Sequence, residues 1–286
     1  MLQGAIAGLA IGGVYAIIAV CMTLMAQLVR VINFAQAGIG MFGAFLAASL
    51  AQSLRMPVPV GLLIGLVTGI ALSVLIGLIT QRWLPEASVS ARSAVTVGAL
   101  LLLVSLSFIL FGTRPMTFAP IVSGTAFAVG GVVVSQVTIV MVALAALVSG
   151  GAWLLLAKTT VGTKLRAIAD RPVAAELIGI PVTSLTIGVW AASGLIVTVV
   201  VMIVAPTQTS DATSLSMLVI PASAAALLGA FKRLGLALVG GLLLGVIQGA
   251  VSQLPELMLV RDWIPLVLIV LFLLWNQRKE VWDAAR

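Results

Sequence analysis

Three features of this sequence predict an all-α fold, a polytopic bundle of membrane-spanning helices. Only 8% of its residues are charged and 62% are hydrophobic, with a mean hydropathy of +1.28; soluble domains carry about 25% charged residues. Its apolar runs reach about 18 residues or more, the length of a helical span and too long for a barrel strand. Within those runs small residues recur at every fourth position, the spacing by which helices pack closely in lipid.

Charges and prolines divide the chain into expected spans near 4–29, 31–54, 57–81, 93–113, 135–157, 178–205, 213–231, 234–254 and 263–277. That gives eight or nine crossings within one domain, residues 1–286. No Lys or Arg precedes Arg30, so the N-terminus reads as part of the first span and not as a cleavable signal. The segment from Arg114 to Gly131, rich in Pro, Gly, Ser and Thr, reads as a loop with a short lip helix.

The charges gather in one internal place, residues 158–180, KTTVGTKLRAIADRPVAAELIGI. Thr163 is expected to cap a short helix and Asp170 a second turn, with Pro172 in its first turn and Gly179 at its end. Such a polar elbow between two spans suits docking to a soluble partner; a solvated connection is the alternative. If the elbow is cytoplasmic, alternation puts Arg30, Arg82, Arg92, Lys158, Lys164, Arg166, Arg171, Lys232, Arg233, Arg278, Lys279 and Arg286 inside and leaves only Arg55, Arg114 and Arg261 outside. That asymmetry follows the positive-inside rule and predicts N-terminus out, C-terminus in. It also explains the net charge of +7 without nucleic acid, since no basic run is interleaved with aromatics.

Three stripes of small residues stand out: Gly4-Gly8-Gly12-Ala16, Gly61-Gly65-Gly69-Ser73-Gly77 and Gly241-Gly245-Gly249. They predict close helix seams, within the chain or between subunits. Gly38-Ile39-Gly40-Met41-Phe42-Gly43 fits the dinucleotide fingerprint in form, but it lies in an apolar span with no βαβ unit, so a nucleotide site is rejected. A broken or bent helix is expected there instead, with Asn33 and Gln36 bringing amides to membrane depth. These amides either help bind a solute beside half-helix ends or tie helices together. Leu228–Gly241 is a second expected break, and the pair hints at an inverted repeat. Asp211, following Gln208 and Ser210, is expected in an outer lip or in solvent.

The absences are informative. With no histidine and a single cysteine, Cys21, neither a His-based metal site nor an internal disulfide is possible. No carboxylate lies near the centre of a span, as ion-coupled carriers usually require, and there is no P-loop. No constellation for an intramembrane enzyme is present. Energy for active transport would have to come from another polypeptide, with the elbow as its docking point.

Three stretches resemble permeases of ATP-binding-cassette importers for branched-chain amino acids, specifically the shorter of the two permeases such systems pair. They are Gly13-Val14-Tyr15-Ala16 with Val31-Ile32-Asn33-Phe34-Ala35; Gly162 to Ile180, the most specific; and Gly229 through Gly249. The resemblance implies a homologous partner permease, two cytoplasmic ATPase subunits that bind the ATP, and an extracytoplasmic solute-binding protein, in a bacterial or archaeal inner membrane. No cofactor of its own is implied. Thr163, Lys164, Leu165, Arg166, Asp170, Arg171 and Glu176 would form the coupling segment, and Tyr15, Asn33, Gln36 and Ser193 are candidates for the substrate path. Gln36-Ala37 stands where relatives commonly carry His-Gly, and Ala230, Lys232 and Leu236 where they carry glycine, which leaves the solute open among branched-chain amino acids, short amides and urea. The expected mechanism is alternating access driven by the ATPases. The competing expectation is a self-sufficient channel or facilitator for small solutes.

Overall fold

The computed structural model describes residues 1–85, 87–113, 115–129, 132–208 and 211–284. Arg114, Gly131, Ser210 and Arg286, invoked above, lie outside the described residues, as do the side chains of Arg278 and Lys279. Helices α1 (Leu2–Leu28), α2 (Gln36–Ser53), α3 (Val58–Trp83), α4 (Val89–Phe111), α5 (Gln136–Lys158), α6 (Thr160–Asp170), α7 (Pro172–Leu177), α8 (Val182–Val204), α9 (Ala212–Ser216), α10 (Val219–Leu228), α11 (Leu234–Val251) and α12 (Ile264–Ala284) follow one another, with one hairpin of β1 (Thr125–Val129) and β2 (Val132–Ser135). Six of them, α1, α3, α4, α5, α8 and α11, are long and apolar enough to cross a membrane. With α2, the α9–α10 pair and α12 they make a polytopic helical bundle.

The core is built around α1, buried along most of its length against α5, α8, α10 and α11. Lipid supplies no force that drives apolar side chains together, so close approach of backbones has to do the packing. Gly4, Gly8, Gly12 and Ala16 run antiparallel to Gly249, Gly245 and Gly241 of α11; a Cβ added to Gly249 would lie 2.7 Å from Gly8 Cα, and one on Gly241 2.8 Å from Ala16 Cβ. The stripe on α3 serves two neighbours. Gly61 and Gly65 meet Ala47 and Gly43 of α2, whereas Gly69, Ser73 and Gly77 meet Thr198, Gly194 and Trp190 of α8. All three stripes pack within the chain. The outward faces of α3, α4, α5 and α12 carry exposed Leu63, Val67, Leu101, Leu102, Ile109, Leu147, Leu271 and Leu273, a surface suited to lipid.

Several local expectations need correction. Residues 125–129 and 132–135 pair as antiparallel strands, where a lip helix was expected: the β-branched run Val132–Val134 favours strand, and Gln3 pairs with both backbone groups of Val133 through its side-chain amide. The break near the GxGxxG run lies ahead of it, at residues 29–35, and α2 continues unbroken through all three glycines. Each glycine admits a different helix: Gly38 admits Leu100 of α4, Gly40 Val201 of α8, and Gly43 Gly65 of α3. Residues 229–233 are a connecting turn, after which α11 runs through Gly235, Gly240 and Gly241 without interruption. The interruption in that half falls between α9 and α10, at Met217–Leu218, just ahead of Pro221, which has no N–H to continue the ladder. Asp211 caps α9, accepting from Ser214 N at 3.0 Å.

Candidate functional site

The elbow begins where α5 ends. The cap of α6 is Thr159, whose Oγ1 accepts from Gly162 N at 3.0 Å; Thr163 lies inside the helix, one turn on. Thr159 is extended and therefore able to cap, while Thr163 is already helical. Asp170 is likewise the last residue of α6 and not a cap: α7 starts from Arg171 without side-chain capping, with Pro172 at its first position. Gly179 ends α7 with a φ of +83°, Gly179 N donating to Glu176 O and Ile180 N to Ala175 O. These two bonds form a Schellman cap, for which a left-handed residue is required.

The amphipathic face of α6 fixes the elbow to the bundle. Leu165 and Ile168 point inward, and a Cβ on Gly162 would lie 2.6 Å from Leu156 Cα of α5. Arg30, in a left-handed conformation (φ +54°) just beyond α1, donates to the carbonyl of Asp170 at 3.0 Å. Lys164, Arg166, Asp170, Arg171 and Glu176 are exposed together with Thr163, whereas Leu165 is 5% exposed and faces the bundle. Among the exposed charges stand three apolar side chains of the α7 end, Val173, Leu177 and Ile178, at 72%, 83% and 75% exposure.

Beside the elbow, residues 29–35 return into the bundle as non-helical backbone. Such backbone must find partners away from water. Helix α4 provides them: Ser93 Oγ accepts from Ile32 N and Thr96 Oγ1 from Phe34 N, both at 3.0 Å, while Thr96 Oγ1 also faces Ile32 O at 3.1 Å. Asn33 Oδ1 accepts from Ala35 N at 3.0 Å and its Nδ2 donates to Met25 Sδ at 3.6 Å. Gln36 Nε2 donates to Ser193 Oγ of α8 at 2.8 Å and reaches Met25 Sδ at 3.2 Å; its Oε1 is buried without a partner among the described residues.

Asn33, Gln36 and Ser193 thus meet around Met25. Tyr15 does not join them: it is buried ten residues earlier on α1, about 15 Å along the axis. Ser193 and Met25 also line a groove of about 750 Å³ between α1, α5, α6 and α8, whose walls are otherwise almost wholly apolar. The roles of Ser93 and Thr96 were not expected from sequence. Their signal is a pair of hydroxyls one turn apart at the start of an apolar span. The apolar patch on α7 was missed because the charges around it drew attention first.

The sequence matches the family described as "Branched-chain amino acid transport system / permease component" over residues 4–275. Among solved structures it is similar to PsaBC from Streptococcus pneumoniae in complex with Fab, at 14% identity and a TM-score of 0.46, over 96% of this chain and 89% of that one. A search of curated proteins finds no match. With nearly its whole length matched, the chain belongs to the family of branched-chain amino acid transport system permease components.

Proposed function

We propose that this permease is the membrane-spanning subunit of an ATP-binding-cassette importer, moving branched-chain amino acids or a related small polar solute by alternating access. Two cytoplasmic ATPase subunits would drive it through the elbow, beside a second, homologous permease and beneath an extracytoplasmic solute-binding protein, in a bacterial or archaeal inner membrane. The observation that carries the reading is the patch of Val173, Leu177 and Ile178 on α7. Lipid-facing side chains are not surrounded by charge, yet this patch is flanked by exposed Lys164, Arg166, Asp170, Arg171 and Glu176. Apolar groups held at the level of water favour a protein groove as their partner.

A push on α7 has a rigid way in. Leu165, Ile168 and the Gly162 contact join α6 to α5, and the Arg30 bond joins it to α1. Both helices wall the apolar groove, so elbow movement would widen or narrow it. The lining favours a solute with an aliphatic side chain over urea or a short amide, with Ser193 and the unsatisfied Gln36 Oε1 beside it for a polar head.

Leu177→Glu, and separately Arg166→Glu with Asp170→Arg, should cut ATP-dependent uptake by about tenfold or more, because one buried charge at such a contact costs more than about 1.4 kcal/mol. Thermal stability of the permease should stay unchanged, since none of these side chains packs on the bundle. Normal uptake by both variants would remove the coupling assignment. The channel alternative predicts passive flux through the pure chain in vesicles; the importer predicts none without ATPases.

A further inference from the structure

A second pocket, of about 210 Å³, opens at the elbow end of the bundle among the ends of α1, α3, α4 and α8, with Ile168 of α6 and Pro172 of α7 closing one side. Two arginines line it, Arg30 and Arg92, close enough to repel one another electrostatically. Neither has an ion-pair partner among the described residues. Arg30 spends one donor on the Asp170 carbonyl, and Arg92 spends two on the carbonyls of Leu84 and Pro85, so each fork keeps N–H groups unused. Two like charges facing a common space disfavour one another, and an anion between them relieves the repulsion.

The remaining walls suit that anion. The first turns of α8, a helix of 23 residues with no side-chain cap, contribute Thr183 and Thr186, so its positive end and free N–H groups lie along the pocket. Trp190, one turn deeper on the same face, is fully buried and lines the pocket, and its Nε1–H has no partner among the described residues. On α3, the buried Oε1 of Gln81 is also unpartnered among the described residues, an acceptor for a hydroxyl carried beside the anion. The volume falls below the about 300 Å³ at which drug-sized ligand sites begin, too small for a nucleotide.

We propose that this pocket binds a phosphate group, held by Arg30, Arg92 and the start of α8. The group could be the headgroup of an anionic phospholipid such as phosphatidylglycerol, whose glycerol hydroxyls match Gln81, or free phosphate. Both present the same oxyanion to the arginines, and only the lipid carries tails into the bilayer alongside the bundle. The site adjoins the elbow, with Ile168 of α6 and Pro172 of α7 in its wall, and shares Leu28 with the apolar groove; it stands whichever way transport is driven.

The test uses the full-length chain in phosphatidylcholine nanodiscs, with phosphatidylglycerol mixed in or with inorganic phosphate added. Melting temperature and lipid retained in native mass spectrometry are read. Phosphatidylglycerol should raise the melting temperature, and Arg30→Gln with Arg92→Gln should weaken the apparent affinity by about tenfold or more, at roughly 1 kcal/mol per arginine near the surface. Trp190→Phe, which keeps the ring over Gly77 and removes the donor, should weaken it in the same direction. Lys158→Gln with Lys232→Gln removes equal charge elsewhere and should leave it unchanged. Stabilisation by phosphatidylglycerol alone makes the source a lipid; equal stabilisation by phosphate, lost in the same variants, makes it the free ion. Stabilisation by neither, or the same loss in the lysine control, overturns the site.

Discussion

Thr96 shows how one side chain can hold a break inside a membrane protein. Its Oγ1 accepts from Phe34 N, and its one proton lies between Ser93 O at 2.7 Å and Ile32 O at 3.1 Å, so the hydroxyl ties α4 to the non-helical segment. Thr96→Val keeps the shape and removes that tie. The expected outcome is a loss of about 2 kcal/mol in stability, the cost of leaving a buried backbone group unpaired, seen as a lower denaturation midpoint in detergent. Thr96→Ser should recover most of it. At this scale the sequence was legible where a residue's own backbone conformation decides its role. Gly179 is an example: a glycine after a short polar helix is read as its end without knowing the fold. Thr163 and Asp170 were misread because capping depends on where the helix begins, and α5 hands over to α6 with only Thr159 between them. Ala230, at a φ of +49°, occupies the equivalent of Gly179 at the end of α10. Alanine makes the same cap there at some conformational cost.

Between elements, the glycine stripes decide which helices touch. A Cβ on Gly245 would sit 2.5 Å from Gly12 N, backbone that cannot step aside, whereas one on Gly98 of α4 meets nothing within 4 Å. Gly245→Ala should therefore destabilise by about 3 kcal/mol, in the range of overpacked cores. Gly98→Ala should be neutral or stabilising by up to about 1 kcal/mol, because alanine is the better helix former. Melting curves of the two variants side by side check this, and equal effects would mean that the stripe does not set the seam. The fourfold spacing announced that such seams exist, but spacing is a property of one helix. It could not say that α3 divides its stripe between α2 and α8, because the choice of partner depends on the opposing surface. The hairpin was missed for a related reason: its strands are short, and the Gln3 amide that fastens its edge comes from 130 residues away.

For the whole molecule, composition alone was enough to place the chain in a membrane, since burying so few charges and so much apolar surface leaves little choice of solvent. The elements then alternate in direction, which gathers Arg30, Arg82, Arg92, Lys232 and Arg233 at the elbow end. The positive-inside rule predicts that this end faces the cytoplasm. The lone Cys21 is buried, at 1% exposure, so it gives little background for labelling. A cysteine at Glu176 should react with an impermeant maleimide only in inverted vesicles, and one at Ser123, ahead of the hairpin, only in intact cells. The opposite pattern would reverse the orientation and separate the elbow from any cytoplasmic motor. What composition could not supply is the fastening of α1 to its neighbours. At one end of the bundle Gln3 clasps the strand that leads into α5; at the other Arg30 holds the last carbonyl of α6, the helix that follows α5. Running parallel and secured at both extremities, α1 and the α5–α6 unit would behave as a single strut. A tilt applied on one side of the bilayer would then emerge on the other as displacement of the hairpin, with no bending needed between.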